Sequence, residues 1–137
     1  EIRHRVYIEE QAIPAELEWD APDAYAEHRL LLVDGVAVGC SRWRWTSPGV
    51  ARLERFAVLA AHRGAGHGKT IVRSTLDEAL EAGARRVEIS AQSYLERFYA
   101  GFGFAVTGPE YEEAGLPHLP MAIDVDREGA LSADPGP

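Results

Sequence analysis

The chain is poor in the residues that would commit it to several common functions. It has one cysteine, Cys40, among 137 residues. An internal disulfide is therefore excluded, and the composition fits a reducing cytoplasm. Basic residues are outnumbered, 14 Lys and Arg against 22 Asp and Glu, for a formal net charge of −8. Nucleic acid, which is bound mainly through phosphate neutralisation, is disfavoured as the main partner. No run of about 18 apolar residues occurs, so no membrane span is expected. No charged-then-apolar signal segment opens the chain. The five histidines, at 4, 28, 62, 67 and 118, form no H-x-x-x-H or Cys/His cluster, so no metal is expected. The chain opens at Glu1 without a methionine, and residues upstream of it are expected in the native protein.

What remains, 46% hydrophobic and 26% charged residues, is the composition of an ordinary globular domain. The stretch from Ala51 to Ala84 organises it. Apolar residues from Phe56 to Ala61 lead into a basic, glycine-rich turn, Arg63-Gly64-Ala65-Gly66-His67-Gly68. Ile71, Val72, Leu76, Ala79 and Leu80 then keep to one side of a 3.6-residue period, and Gly83 stands where a C-cap glycine is expected. The pattern is strand, loop, helix. The first N–H groups of a helix lack intrahelical partners and sit at the positive end of its dipole. Glycines remove the Cβ atoms that would hold an anion away from them. The stretch suits a group such as a pyrophosphate.

Three phosphate-loop patterns compete for it. Gly68-Lys69-Thr70 imitates the end of a Walker A loop, but Gly64 precedes Gly68 by four residues, one too few. A Rossmann G-x-G-x-x-G does not match the spacing of Gly64, Gly66 and Gly68. The third pattern, R-x-x-G-x-G, fits Arg63 through Gly68.

In chain order, residues 1–11 read as a helix closed by Ile13-Pro14, and 15–27 as an acidic loop with a short helix. Strands follow at 28–33 and 36–46 around the hairpin signal Asp34-Gly35, and at 51–59. After the loop and helix, 86–91 reads as a strand parallel to 51–59. Ser93-x-x-Glu96 has the form of a capping box that opens a helix carrying Leu95, Phe98, Tyr99 and Phe102 on one stripe. Strands are expected at 104–107 and 118–125 with a loop over 108–117, and residues 126–137 as a disordered tail. The fold class is α+β: a mixed, mostly antiparallel sheet of about six strands flanked by helices, in one domain over 1–125.

Several residues read two ways. Glu54, on the strand before the loop, is a general base if half buried, or one half of a salt bridge to Arg52 or Arg44. Tyr99 is a core aromatic or a proton donor. Arg63 binds phosphate or is a solvated charge beside a turn. His118 is a capped or surface histidine or an acceptor-site group. Cys40 reads as a buried inert thiol. Trp43 and Trp45 read as core packing or as the wall of a site.

From Glu1 to Val125 the order of elements resembles the GNAT N-acetyltransferases. Leu53-Glu54-Arg55-Phe56-Ala57-Val58 with Arg63-x-x-Gly66-x-Gly68 is similar to the family's central strand and pyrophosphate loop. Phe98-Tyr99-x-x-Phe102-Gly103-Phe104 is similar to its YxxxGF segment. Arg5-Val6-Tyr7-Ile8-Glu9-Glu10-Gln11 with Pro14, and Tyr111-Glu112-Glu113-x-Gly115-x-Pro117-His118, resemble the ElaA-like branch. A first family strand has no counterpart here.

The resemblance implies acetyl-CoA as cosubstrate, no metal, and a primary amine of a small molecule or peptide as acceptor. It is compatible with a homodimer. Ala57 and Val58 would pair with the pantetheine arm through their backbone. Arg63, Gly64, Ala65, Gly66, His67, Gly68 and Lys69 would hold the pyrophosphate, and Gln92 would touch the cosubstrate. Glu54 would take the amine proton and Tyr99 would protonate the leaving thiolate. The seven carboxylates of 9–27 and the three of 110–113 favour a cationic acceptor. The alternative function is a non-catalytic acyl-CoA-binding or regulatory module on the same fold.

Overall fold

A computed structural model describes residues 2–3, 26–125 and 131–132. The helix read over 1–11, the acidic segment up to residue 25 and most of the tail lie outside these residues. The chain groups into two compact units, Glu1–Arg44 with Leu53–Asp77, and Trp45–Arg52 with Glu78–Pro137.

In the first unit, β1 (Glu27–Val33) pairs antiparallel with β2 (Val36–Ser47). Their register closes at Val33↔Val36, so the hairpin loop is the two residues Asp34 and Gly35. Both take positive φ, 50° and 79°, which matches the twist that paired strands require of a two-residue turn. A bulge interrupts the ladder between Leu31 and Leu32. β3 (Val50–Val58) begins in the second unit and ends in the first. The helix α1 (His67–Glu81) begins in the first unit and ends in the second.

The buried face of α1 in the first unit is Ile71, Val72, Thr75 and Leu76. Its apolar members are those the helical period selects; Thr75 is the addition. Thr75 Oγ1 donates to the Ile71 carbonyl at 2.6 Å and shares a 2.7 Å hydrogen bond with Ser41 Oγ on β2. Arg29 on β1 reaches Ser74 Oγ at 2.5 Å. Two polar ties thus fix the rotation of the helix over its strands. Thr75→Val keeps the shape and leaves the buried Ser41 hydroxyl without this bond, so we expect a loss of about 1–3 kcal/mol in denaturant unfolding. Ser41→Ala made together with it should recover part of that loss.

In the second unit, α1 ends where Gly83 takes φ 102° and Ala84 N–H donates to the Ala79 carbonyl at 3.1 Å. β4 (Arg86–Gln92) runs parallel to the start of β3 over Val50↔Arg86 to Arg52↔Glu88, as its spacing predicts. On its other edge β4 pairs with β7 (Leu116–Val125) through seven antiparallel pairs. β7 also carries β5 (Ala105–Val106), β6 (Tyr111–Glu113) and β8 (Leu131–Ser132). Within the first unit the neighbours run β1-β2-β3, and within the second β3-β4-β7-β5.

The sheet therefore has eight strands among the described residues, against about six expected. β6 lies in the stretch read as a loop, and β8 lies in the stretch read as tail. The capping box does not form. Ser93–Leu95 is a 3-10 turn, and the helix α2 spans only Glu96–Ala100. Ser93 Oγ donates to Glu110 Oε2 at 2.8 Å and makes no cap bond to the backbone.

Candidate active site

In the first unit, β3 loses regular extended geometry at Arg55, whose φ is +59°. A non-glycine residue rarely holds this left-handed conformation, and when it does a turn or bulge is being formed. Beyond this break, Ala57 is buried with Cys40 and Ile2, and half-buried Ala37 and Leu59 pack on that cluster. Leu59 N–H donates to the Val38 carbonyl at 2.8 Å, and Arg63 Nε donates to the Val58 carbonyl at 3.0 Å. Arg63 thus closes the end of the strand with one side of its guanidinium.

From Arg63 the chain turns through Gly64, at φ 87°, and Gly66, at φ 83°. A Cβ added at either glycine would meet no atom of the described residues within 4 Å. Their need is conformational, and the space before them is open. Gly66 begins the helix: its carbonyl accepts from both the N–H and the hydroxyl of Thr70, each at 3.1 Å. The first turn of α1 contains no acidic residue and does contain Lys69. The positive end of the helix dipole is left uncompensated by its own side chains. Arg63, Gly64, Ala65, Gly66 and Lys69 are exposed and His67 and Gly68 half-buried, so the loop presents its backbone outward. An anion of pyrophosphate type fits this arrangement.

Glu54 lies one residue before the break. Arg44 Nε bonds its Oε1 at 2.5 Å, and Arg42 Nη2 lies 3.2 Å from the same oxygen. Arg42 is fully buried. Arg44 was one of the partners expected; Arg42, which was not, is the deeper of the two. Cys40 is buried, with Sγ 3.8 Å from the Arg55 carbonyl.

Tyr99 lies in the second unit, on α2. It is 7% exposed and stands edge-on to Phe98 at 5.1 Å and to Phe104 at 6.1 Å between ring centroids. Burial pushes the phenol well above its ordinary range, and the neighbouring Tyr94 adds to the shift. The hydroxyl stays protonated at neutral pH, as a proton donor must. Gln92 closes β4 in the same unit, with Cα register to His118 on β7. Trp43 is buried in the first unit, whereas Trp45, in the second, is 43% exposed and so is not core.

Sequence reasoning passed over the environment of His118. The residue is buried, its Nδ1 lies 2.8 Å from the Leu116 carbonyl, and its Nε2 lies 3.5 Å from Glu113 Oε2. The ring stacks on Tyr111, whose hydroxyl is hydrogen-bonded to Ser90. The signal for this cluster was the β6 strand, which the sequence hides.

Residues 5–125 match the Acetyltransferase (GNAT) domain family, and the chain belongs to it. It is an acyltransferase by that membership. YjcF of Bacillus subtilis, described as an uncharacterized N-acetyltransferase, is 36% identical over 124 residues, 90% of this chain and 88% of YjcF. An acyl-CoA N-acyltransferase from Pseudomonas aeruginosa superposes with TM-score 0.80 at 27% identity, covering 88% of this chain and 84% of that one. Escherichia coli ElaA superposes with TM-score 0.78 at 28% identity, covering 88% and 83%. Among the described residues no helix is long and apolar enough to cross a membrane.

Proposed function

We propose that the protein transfers an acetyl group from acetyl-CoA directly to a primary amine of a small molecule or peptide, within a ternary complex. The observation that carries this reading is the turn from Arg63 into α1. It combines two left-handed glycines, open space before them and a helix N-terminus free of acidic residues. The backbone of Arg63 to Lys69 holds the pyrophosphate, and Ala57 and Val58 pair with the pantetheine arm. The amine nitrogen loses a proton toward Glu54 or water and attacks the thioester carbonyl. The Val58 N–H stabilises the oxyanion that develops. Tyr99 gives its proton to the departing thiolate.

The acceptor in this reading is cationic, because Glu110, Glu112 and Glu113 add to an already acidic chain. The reaction belongs to the cytoplasm, where the single thiol stays reduced. The test is release of free thiol from acetyl-CoA in the presence of a mixed panel of amines, with acceptors identified by a mass gain of one acetyl group. We expect amine-dependent release, greatest for cationic amines and weakened by salt. No release with any amine would remove the catalytic reading. A preference for anionic or neutral amines, insensitive to salt, would remove the cationic acceptor.

A further inference from the structure

We propose that His118 and Glu113 form a notch that binds a primary ammonium group and takes its first proton, with Nε2 of His118 as the proton acceptor. This deepens the acetyl-transfer reading and rests on it for its place in turnover.

The argument begins with register. Gln92 on β4 and Tyr111 on β6 are both direct antiparallel partners of His118 on β7. Directly opposed residues share a face, so the imidazole stands in a row between them. Glu113 is two residues beyond Tyr111 on β6 and therefore shares that face. The ring of Tyr111 stacks on the imidazole at 6.1 Å and 29°, and its hydroxyl is held by Ser90 from β4. The imidazole is therefore held in one plane.

Its tautomer follows from its partner. A carbonyl oxygen only accepts, so the 2.8 Å contact with Leu116 places a proton on Nδ1. In the neutral ring Nε2 then carries a lone pair. That lone pair faces Glu113 Oε2 at 3.5 Å, beyond the roughly 2.7–3.2 Å of a hydrogen bond. Nε2 and Oε2 are then two acceptors 3.5 Å apart. A group that brings N–H bonds and positive charge satisfies both, and a primary ammonium does so. The His118 side chain is 8% exposed and that of Glu113 is 46% exposed, so the carboxylate receives the cation from solvent and the imidazole waits behind it.

Of its two register neighbours, Gln92 is neutral and the Tyr111 hydroxyl is bonded to Ser90.

The step balances simply. One N–H bond of the ammonium breaks, an Nε2–H bond forms, and the electron pair stays on the amine as its nucleophilic lone pair. Glu113 neutralises the imidazolium produced, and the proton passes to water after turnover. The second amine proton, lost after attack, goes to water.

Two measurements test the notch. Imidazole 15N NMR of the protein titrated with butylammonium or putrescine should shift Nε2 of His118. Choline, a cation without N–H, should not shift it. No shift with the primary amines, or an equal shift with choline, overturns the proposal. In kinetics, His118→Asn keeps a donor for the Leu116 carbonyl but cannot take a proton. We expect kcat/KM for the amine to fall about 10²-fold. The variant should also gain about tenfold in rate per pH unit up to the pKa of the amine, because only free amine then reacts. Glu113→Gln should lower kcat/KM about tenfold by the same route, and acetyl-CoA affinity should be unchanged in both. Wild-type kinetics in His118→Asn overturn the proton-acceptor role and leave acetyl transfer standing. A shift of Nε2 by primary amines without thiol release leaves the ammonium notch standing and overturns acetyl transfer.

Discussion

Gly66→Asp is expected to weaken acetyl-CoA binding by at least about 10²-fold, because a like charge set against a pyrophosphate costs several kcal/mol. Gly66 has φ 83°, and a Cβ there would meet no atom of the described residues within 4 Å. The new side chain therefore finds room without displacing protein atoms and projects into the space in front of the helix. Aspartate tolerates the left-handed conformation better than most residues, so the variant should fold. Gly66→Asn is the matched control. It has the same shape and the same backbone demand without the charge, and should retain most of the affinity that aspartate loses. Calorimetry on both variants, with a thermal melt for each, separates charge from strain. Equal and undiminished affinity in a folded Gly66→Asp would show that the loop does not hold the pyrophosphate.

The glycine turn was legible in the sequence because its demands are local. Left-handed backbone at Gly64 and Gly66, a helix beginning at His67 and apolar residues at helical spacing all leave marks in the residue types. The Asp34-Gly35 hairpin was legible for the same reason. The β6–β7 hairpin uses a comparable two-residue turn, Ala114 at φ 52° and Gly115 at φ 81°, closed by Glu113↔Leu116. It was missed because alanine stands where Asn or Asp would signal such a turn, and because all three residues of β6 are exposed and show no alternation. β7 begins at Leu116, two residues before the expected 118, and Pro117 there argues against a central strand. The capping box did not form, and the Ser93 hydroxyl is turned to Glu110, fourteen residues beyond Glu96, a partner no local pattern names. For Glu54 the sequence offered carboxylates and arginines at strand spacing, but not that the buried Arg42 joins Arg44 on one oxygen. Tertiary pairing decides that, and no local pattern carries it. The candidate site divides in the same way. Its loop and Tyr99 could be named from motifs, whereas the row of Gln92, His118 and Tyr111 needed strand register.

Tyr99→Phe should lower kcat about 10²-fold, as expected for the loss of one general acid, with acetyl-CoA affinity nearly unchanged. The thiolate of coenzyme A has the basicity of an ordinary thiol, with a pKa of about 8.5, so protonation assists its departure without being indispensable. The effect is therefore expected near the lower end of the range for acid catalysis. The ring itself is fixed by edge contacts with Phe98 and Phe104, and phenylalanine preserves both. A second readout comes from the buried hydroxyl. Burial raises its pKa in the folded state above that of the unfolded chain. The native state thus holds this proton more tightly than the unfolded state does. Its contribution to stability is complete below the ordinary phenol range, near about 10, and is lost as pH rises through the higher folded value. Tyr99→Phe removes that alkaline loss, so melts of wild type and variant should converge or cross at high pH. Wild-type kcat together with a changed alkaline melt would make Tyr99 a packing residue only. A fall in kcat with unchanged acetyl-CoA affinity identifies it as the acid that releases the thiol.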